Sequence, residues 1–446
     1  MIVVPGGLPT WFALLWIFLL GSIIGSFLNV CVHRLPDHVS ILGGWKGLFH
    51  PPSRCPRCFH SIRLLDNIPV VGWLKLHGRC RHCNRAISPR YPLVEFFNGL
   101  LWVVIYLVEV GVTRPTGGPL IGASGLFAGD LSPSPVSGWM SAEAMLHARY
   151  LYHMVLIETL VVASLIDFDL KVIPDSVTVP AMIVGLAGSS LGCVYILPVW
   201  FQVPDSVQAL FNTLTVGSRD IPAWMVCLRD APRVPAWIDD SPHLHGLAVS
   251  SVGLVFGGGM IWLVRIAGHW VLKQEAMGFG DVTLMAAIGS FLGWQQALVI
   301  FFMAPLLGIV FALSNWFLRR ERELPYGPFL AMGALLYLCG FQFIWADHLE
   351  PTFGYGPFLV LLLVIGGLMF APMLTLSRLI RRALGIPDPE PFDQGEWRAA
   401  DQLHYAAGER VDRFQGRWRI GPGTDWPGND AGRGQRHESD WRGNGA

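Results

Sequence analysis

Met277-Gly278-Phe279-Gly280-Asp281-Val282-Thr283-Leu284-Met285-Ala286-Ala287-Ile288-Gly289 joins a carboxylate to an apolar run that reads as the beginning of a membrane helix. Packing does not explain an acid there. An ionisable group at the edge of a bilayer is expensive, and its presence argues for function. A second acid, Asp167, closes another apolar run and is followed by Ile173-Pro174-Asp175. The expectation is that Asp167 and Asp281 meet and hydrolyse a peptide bond. One carboxylate would take a proton from water while the other, protonated, polarises the scissile carbonyl. Two carboxylates at hydrogen-bonding distance cannot both ionise cheaply, so they share a proton and titrate as a pair. Gly278 and Gly280 would let a substrate backbone approach closely and would allow an unwound turn at membrane depth.

Blander readings compete residue by residue. Gly-Asp before an apolar run is an ordinary helix start, so Asp281 has a cap reading beside the catalytic one. Asp175 reads as a cap and Asp169 as a surface charge. Glu158 lies nine positions before Asp167, on the opposite helix face. It reads as a polar contact between spans or toward a water-filled cavity. His153 reads as structural.

Outward from these acids, the whole chain has the composition of a membrane protein. Of its 446 residues, 52% are hydrophobic and only 14% charged, with 18 Trp and 26 Phe, arranged in runs long enough to cross a bilayer. The fold class expected is an all-α polytopic membrane protein of about eight to nine transmembrane helices with a small cytoplasmic zinc-ribbon-like loop. Nine spans can be drawn, at about 9–30, 93–111, 148–167, 177–200, 246–267, 281–297, 299–318, 327–346 and 356–379. The sixth is short, holds Gly289 and Gly293, and reads as half-embedded or tilted. The first lacks a basic n-region and a small-residue cleavage site, so it reads as a retained helix. Net charge is zero, which gives no bulk attraction to nucleic acid.

Charge position sets the orientation. Between Val32 and Pro92 ten Arg and Lys face only Asp37 and Asp66, which makes that loop cytoplasmic by the positive-inside rule. Counting spans puts Arg319-Arg320 and Arg381-Arg382 on the same side, and Asp167 and Asp281 at the same boundary. The domain reading follows: 1–31 the first transmembrane helix, 32–92 the cytoplasmic loop, 93–385 the membrane peptidase domain and 386–446 a disordered cytoplasmic tail. Loops at about 112–147 and 201–245 are outward insertions rich in Pro, Gly and Ser, and read as irregular.

Within the cytoplasmic loop, Cys55-Pro56-Arg57-Cys58 and Cys80-Arg81-His82-Cys83 form a double CxxC array. Two such turns supply four thiolates for a tetrahedral structural zinc, and four ligands leave no open position for catalysis. Disulfides or free thiols are the alternative, and a reducing cytoplasm disfavours the disulfides. Cys31, Cys193, Cys227 and Cys339 read as apolar fillers or lone thiols.

Taken in order, these residues resemble the type IV prepilin peptidase family of GxGD-type intramembrane aspartic proteases, the leader peptidase/N-methyltransferases of pilus and type II secretion systems. The resemblance rests on Gly25-Ser26-Phe27-Leu28-Asn29-Val30, His33-Arg34-Leu35-Pro36, the double CxxC, Asn67-Ile68-Pro69 and Ser88-Pro89-Arg90-Tyr91-Pro92-Leu93-Val94-Glu95. It continues through Asp167-Phe168-Asp169-Leu170-Lys171-Val172-Ile173-Pro174-Asp175, Gly278-Phe279-Gly280-Asp281 and Gly327-Pro328-Phe329-Leu330. It implies catalysis by Asp167 and Asp281 and zinc on Cys55, Cys58, Cys80 and Cys83. The implied substrates are type IV prepilins or pseudopilins, cut at the cytoplasmic face of the bacterial inner membrane. The implied second step is methylation of the new N-terminus from S-adenosylmethionine. Thr283 stands where the family usually has Lys, and the span near 356–379 has no counterpart. A non-catalytic zinc-binding membrane scaffold is the competing function, and a transporter using the acids as proton sites is a third.

Overall fold

A computed structural model describes residues 9–37, 40–49, 52–55, 58–113, 119–121, 142–192, 194–199, 241–272, 277–318 and 325–353, with short pieces between 363 and 380 and at 411–412 and 417–418. The chain forms two compact units, taken one at a time below. The first comprises Met1–Gly122, Ile157–Pro180 and Phe392–Ala446, and the second Ala123–Leu156 and Ala181–Pro391.

The chain is a multi-pass, mainly helical membrane protein. Eight of the nine drawn spans hold a helix with described bounds, and residues 363–369 of the ninth are helical. Five are long and apolar enough to cross a bilayer: α1 (Thr10–Arg34), α4 (Arg90–Glu109), α5 (Ala142–Leu170), α7 (Pro242–Leu272) and α9 (Trp294–Leu318). Two are shorter, α6 (Asp175–Ser189) and α8 (Phe279–Leu292). The eighth span is a pair, α10 (Gly327–Cys339) and the π-helical α11 (Gln342–Leu349), bent by 87°. Half of the ninth, the 201–240 stretch, both Arg pairs used for orientation and nearly all of the tail lie outside the described residues. Exposed apolar side chains run along α1 (Trp11, Leu15, Trp16, Leu19, Ile23) and α9 (Phe302, Leu306, Ile309, Val310, Leu313). Faces like these suit lipid, since water-soluble monomers rarely expose such continuous apolar area.

In the first unit, α1 packs against α4 through small residues. A Cβ on Gly25 would stand 2.9 Å from Asn98 Cβ, and one on Gly21 would run into the Trp102 ring. Small residues four apart let helix backbones close up where no hydrophobic force drives them together. Glu158 of α5 accepts from Asn98 Nδ2 at 2.9 Å and from the Trp102 indole, both on α4, so it is a polar contact between spans. The short helix α2 (Ile41–Phe49) is held by Arg34, which donates to the Gly47 and Leu48 carbonyls. The indole of Trp45 on α2 donates to the Ser176 carbonyl at 3.1 Å.

In the second unit, α8 is the buried element. From Asp281 to Leu292 every residue except Thr283 is buried. Its 14 residues rise about 21 Å, short of the roughly 30 Å hydrocarbon core. It stops at Gly293, whose φ of +91° suits glycine alone among common residues, and α9 begins at the next residue. On its flank α7 approaches backbone to backbone at Gly253 and Gly289, and a Cβ on Gly257 would stand 2.6 Å from the Met285 carbonyl.

Two short antiparallel pairings add to the helices. β1 (Val112–Thr113) pairs with β2 (Pro119–Ile121) within the 112–147 stretch, and β3 (Val411–Asp412) pairs with β4 (Arg417–Trp418) in the tail.

Candidate active site and metal centre

The cysteine loop is two copies of one turn. Cys55 N–H donates to the His60 carbonyl and Cys80 N–H to the Arg85 carbonyl, each at 2.9 Å. The residue four beyond each first cysteine is left-handed, Phe59 with φ +59° and Asn84 with φ +52°. Single bridges close the turns at Arg54–Ser61 and Arg79–Ala86. This repeat turns the four sulfurs toward one point, all within 4.8 Å of one another. Cys55 and Cys83 Sγ are 3.9 Å apart, as are Cys58 and Cys80. Zn–S bonds of about 2.3 Å in a tetrahedron give an edge of about 3.8 Å, so the set fits a closed structural zinc. A disulfide would need about 2.05 Å, far below the 3.9 Å of either close pair. Hydrogen bonding from the Cys83 backbone, followed by that of His82, holds the Cys80 thiol down to about 7 against the opposing effect of burial. Nearby, Arg81 grips Asp66 through Nε at 2.7 Å and Nη2 at 2.5 Å, and the guanidinium keeps that carboxyl below its usual range.

Asp281 is the third residue of α8 and only 8% exposed. The position before the helix belongs to Gly278, in extended conformation and without a side-chain cap bond. The cap reading of Asp281 therefore does not describe this helix start. A Cβ on Gly278 would meet nothing nearer than 3.9 Å, and Gly278 and Phe279 are exposed, so the backbone just ahead of the acid is open. The Thr283 hydroxyl donates to the Gly280 carbonyl at 3.1 Å, a bond a Lys could not make in the same way. Tyr326, which precedes α10 and which the sequence reading passed over, lies near enough to Asp281 to feel its charge. Its hydroxyl is pushed up by burial first and by the Asp281 charge second. Gly327-Pro328-Phe329-Leu330 was legible as a motif without a role, and Tyr326 stands just ahead of it.

Asp167 belongs to the first unit and sits one turn from the end of α5, 6% exposed. Lys171, left-handed at φ +56°, turns its N–H back to the Asp167 carbonyl at 2.8 Å. Asp169 is not the free surface charge expected of it. Its side chain is 11% exposed and pairs with Arg90 Nη1, the first residue of α4, at 2.8 and 2.9 Å. Asp175 stands in the first turn of α6, and His153 is fully buried.

Residues 19–108 match the family model described as the bacterial peptidase A24 N-terminal domain, and residues 232–313 match that of the type IV leader peptidase family. The first match contains the four cysteines and the second Asp281, while Asp167 lies between them. The prepilin leader peptidase/N-methyltransferase of Aeromonas salmonicida is 30% identical over 366 residues, covering 77% of this chain and 94% of its own. That of Pseudomonas aeruginosa is 28% identical, covering 75% and 91%. The type 4 prepilin-like proteins leader peptide-processing enzyme of Escherichia coli is 30% identical, covering 71% and 91%. No solved structure matches the chain. With both domain types in order and such coverage, the chain belongs to the type IV prepilin leader peptidase family.

Proposed function

We propose that this protein is a membrane-embedded aspartic endopeptidase that removes the basic leader of type IV prepilins or pseudopilins at the cytoplasmic face of the inner membrane. The observation that carries this reading is Asp281, a buried acid one turn into α8, behind an exposed glycine turn. A prepilin joins a basic leader to an apolar helix, so its scissile bond lies at the depth of such a turn. Recognition is lateral, helix against helix, with the substrate backbone lying along Gly278 and Gly280.

Asp167 and Asp281 are the acids assigned to chemistry. The ionised carboxylate takes a proton from water as the water oxygen bonds to the scissile carbonyl carbon. The protonated partner hydrogen-bonds the carbonyl oxygen. Collapse breaks the C–N bond, and the departing amine takes up a proton from the pair. Cys55, Cys58, Cys80 and Cys83 would hold a structural zinc, which would supply fold to a loop with little core of its own.

Methylation of the new N-terminus from S-adenosylmethionine is the second activity we assign, because the relatives from Aeromonas salmonicida and Pseudomonas aeruginosa are leader peptidase/N-methyltransferases. The described residues contain no glycine-rich strand–turn–helix of the nucleoside-binding kind, and no step is routed through that cofactor. Mass spectrometry of a co-expressed prepilin tests both activities at once. Loss of the leader is expected, with a separate methyl increment on the product. An intact prepilin beside a zinc-loaded, membrane-inserted protein would favour the scaffold reading.

A further inference from the structure

The acid two residues beyond Asp167 has no part in the chemistry above, yet it is built into the fold with care. Arg90 Nη1 reaches both Asp169 oxygens, at 2.9 Å to Oδ1 and 2.8 Å to Oδ2. Both partners are largely shielded, with side chains 32% and 11% exposed. Arg90 is itself fixed. Three residues before it, Ile87 N–H donates to the Gly78 carbonyl at 2.7 Å, and the Ile87 carbonyl accepts from the Trp73 indole at 3.2 Å. Gly78 and Ile87 flank the second cysteine turn. On the other side, Asp169 sits between Asp167 and the left-handed Lys171 that ends α5. The far end of the same connection is tied where Trp45 meets Ser176.

We infer that the Arg90–Asp169 ion pair is a positioning device for Asp167, linking the metal-stabilised loop to the last turn of α5. A helix terminus frays unless something holds it, and an acid in a two-carboxylate site has little tolerance for misplacement. Displacement by about an ångström costs on the order of a hundredfold in rate. The pair holds the backbone two residues from Asp167, so its loss lowers turnover without removing a group that touches substrate. Arg90 suits the task because its guanidinium keeps its charge at every working pH, and its Nη1 alone bridges both carboxylate oxygens. This inference rests on the assignment of Asp167 to catalysis.

The test uses the purified full-length, zinc-loaded protein and a prepilin substrate. Arg90→Ala and Asp169→Asn are each expected to lower kcat about a hundredfold, with KM and zinc content unchanged. The charge-reversed pair, Arg90→Asp with Asp169→Arg, should recover a large part of the kcat that either reversal alone removes. Where Arg90→Ala fails to assemble, Asp169→Asn keeps the side-chain shape and carries the test. Wild-type kcat in Asp169→Asn, a loss confined to KM, or a double reversal no better than the worse single one would overturn the pair. Asp167→Asn run alongside separates the two claims. An active Asp167→Asn removes the catalytic reading, whereas an inactive one beside a fully active Asp169→Asn removes only the positioning pair.

Discussion

Cys80 carries a local field that can be read out by chemistry. Its thiol is lowered from an ordinary 9.0 to about 7, mainly by hydrogen bonding from the Cys83 backbone. A depressed acid contributes stability that is complete above its unfolded value and is lost as the pH falls through the folded one. For the metal-free loop that contribution is full above about pH 9 and gone below about pH 7. Alkylation of the metal-free protein by iodoacetamide, followed peptide by peptide, should reach half-maximal rate at Cys80 near pH 7. A half-point near the ordinary value of 9.0 would contradict this, and added zinc should protect the residue. The double CxxC was legible because its spacing is itself the ligand geometry. The ion pair on Asp169 was not, because a sequence shows how far apart Arg90 and Asp169 are along the chain and nothing of their meeting.

The α7–α8 packing is the element-scale determinant of where Asp281 sits. Gly253 meets Gly289 backbone to backbone, and a Cβ at Gly257 would press within 2.6 Å of the Met285 carbonyl. Backbone atoms cannot swing aside as a side chain can, so Gly253→Val or Gly257→Leu must push the helices apart at about 1–3 kcal/mol. Either change should lower prepilin cleavage about a hundredfold, measured against Gly259→Ala, a position with nothing within 4 Å. Equal activity in Gly257→Leu and Gly259→Ala would mean that this contact does not set the site. The span holding α8 was drawn short, at 281–297, and the helix is shorter still, ending at Leu292 where Gly293 breaks it. The bend between α10 and α11 was not. Residues 327–346 keep one apolar composition through a turn of 87°, and hydropathy records composition without direction.

For the molecule as a whole, the membrane class followed from runs of apolar residues, and eight described helices fall where those runs lie. Partition into two compact units did not follow, because the cut passes between Leu156 and Ile157 inside the uninterrupted α5. Asp167 belongs to one unit and Asp281 to the other, and the proposed chemistry requires both. Purified Asp167→Asn and Asp281→Asn, each membrane-extracted intact and zinc-loaded, tests that requirement through the single-turnover rate of prepilin cleavage. An amide can neither accept the water proton nor supply one to the leaving amine, so both variants should fall below detectable cleavage. Cleavage at the wild-type rate by either one would contradict the two-aspartate site.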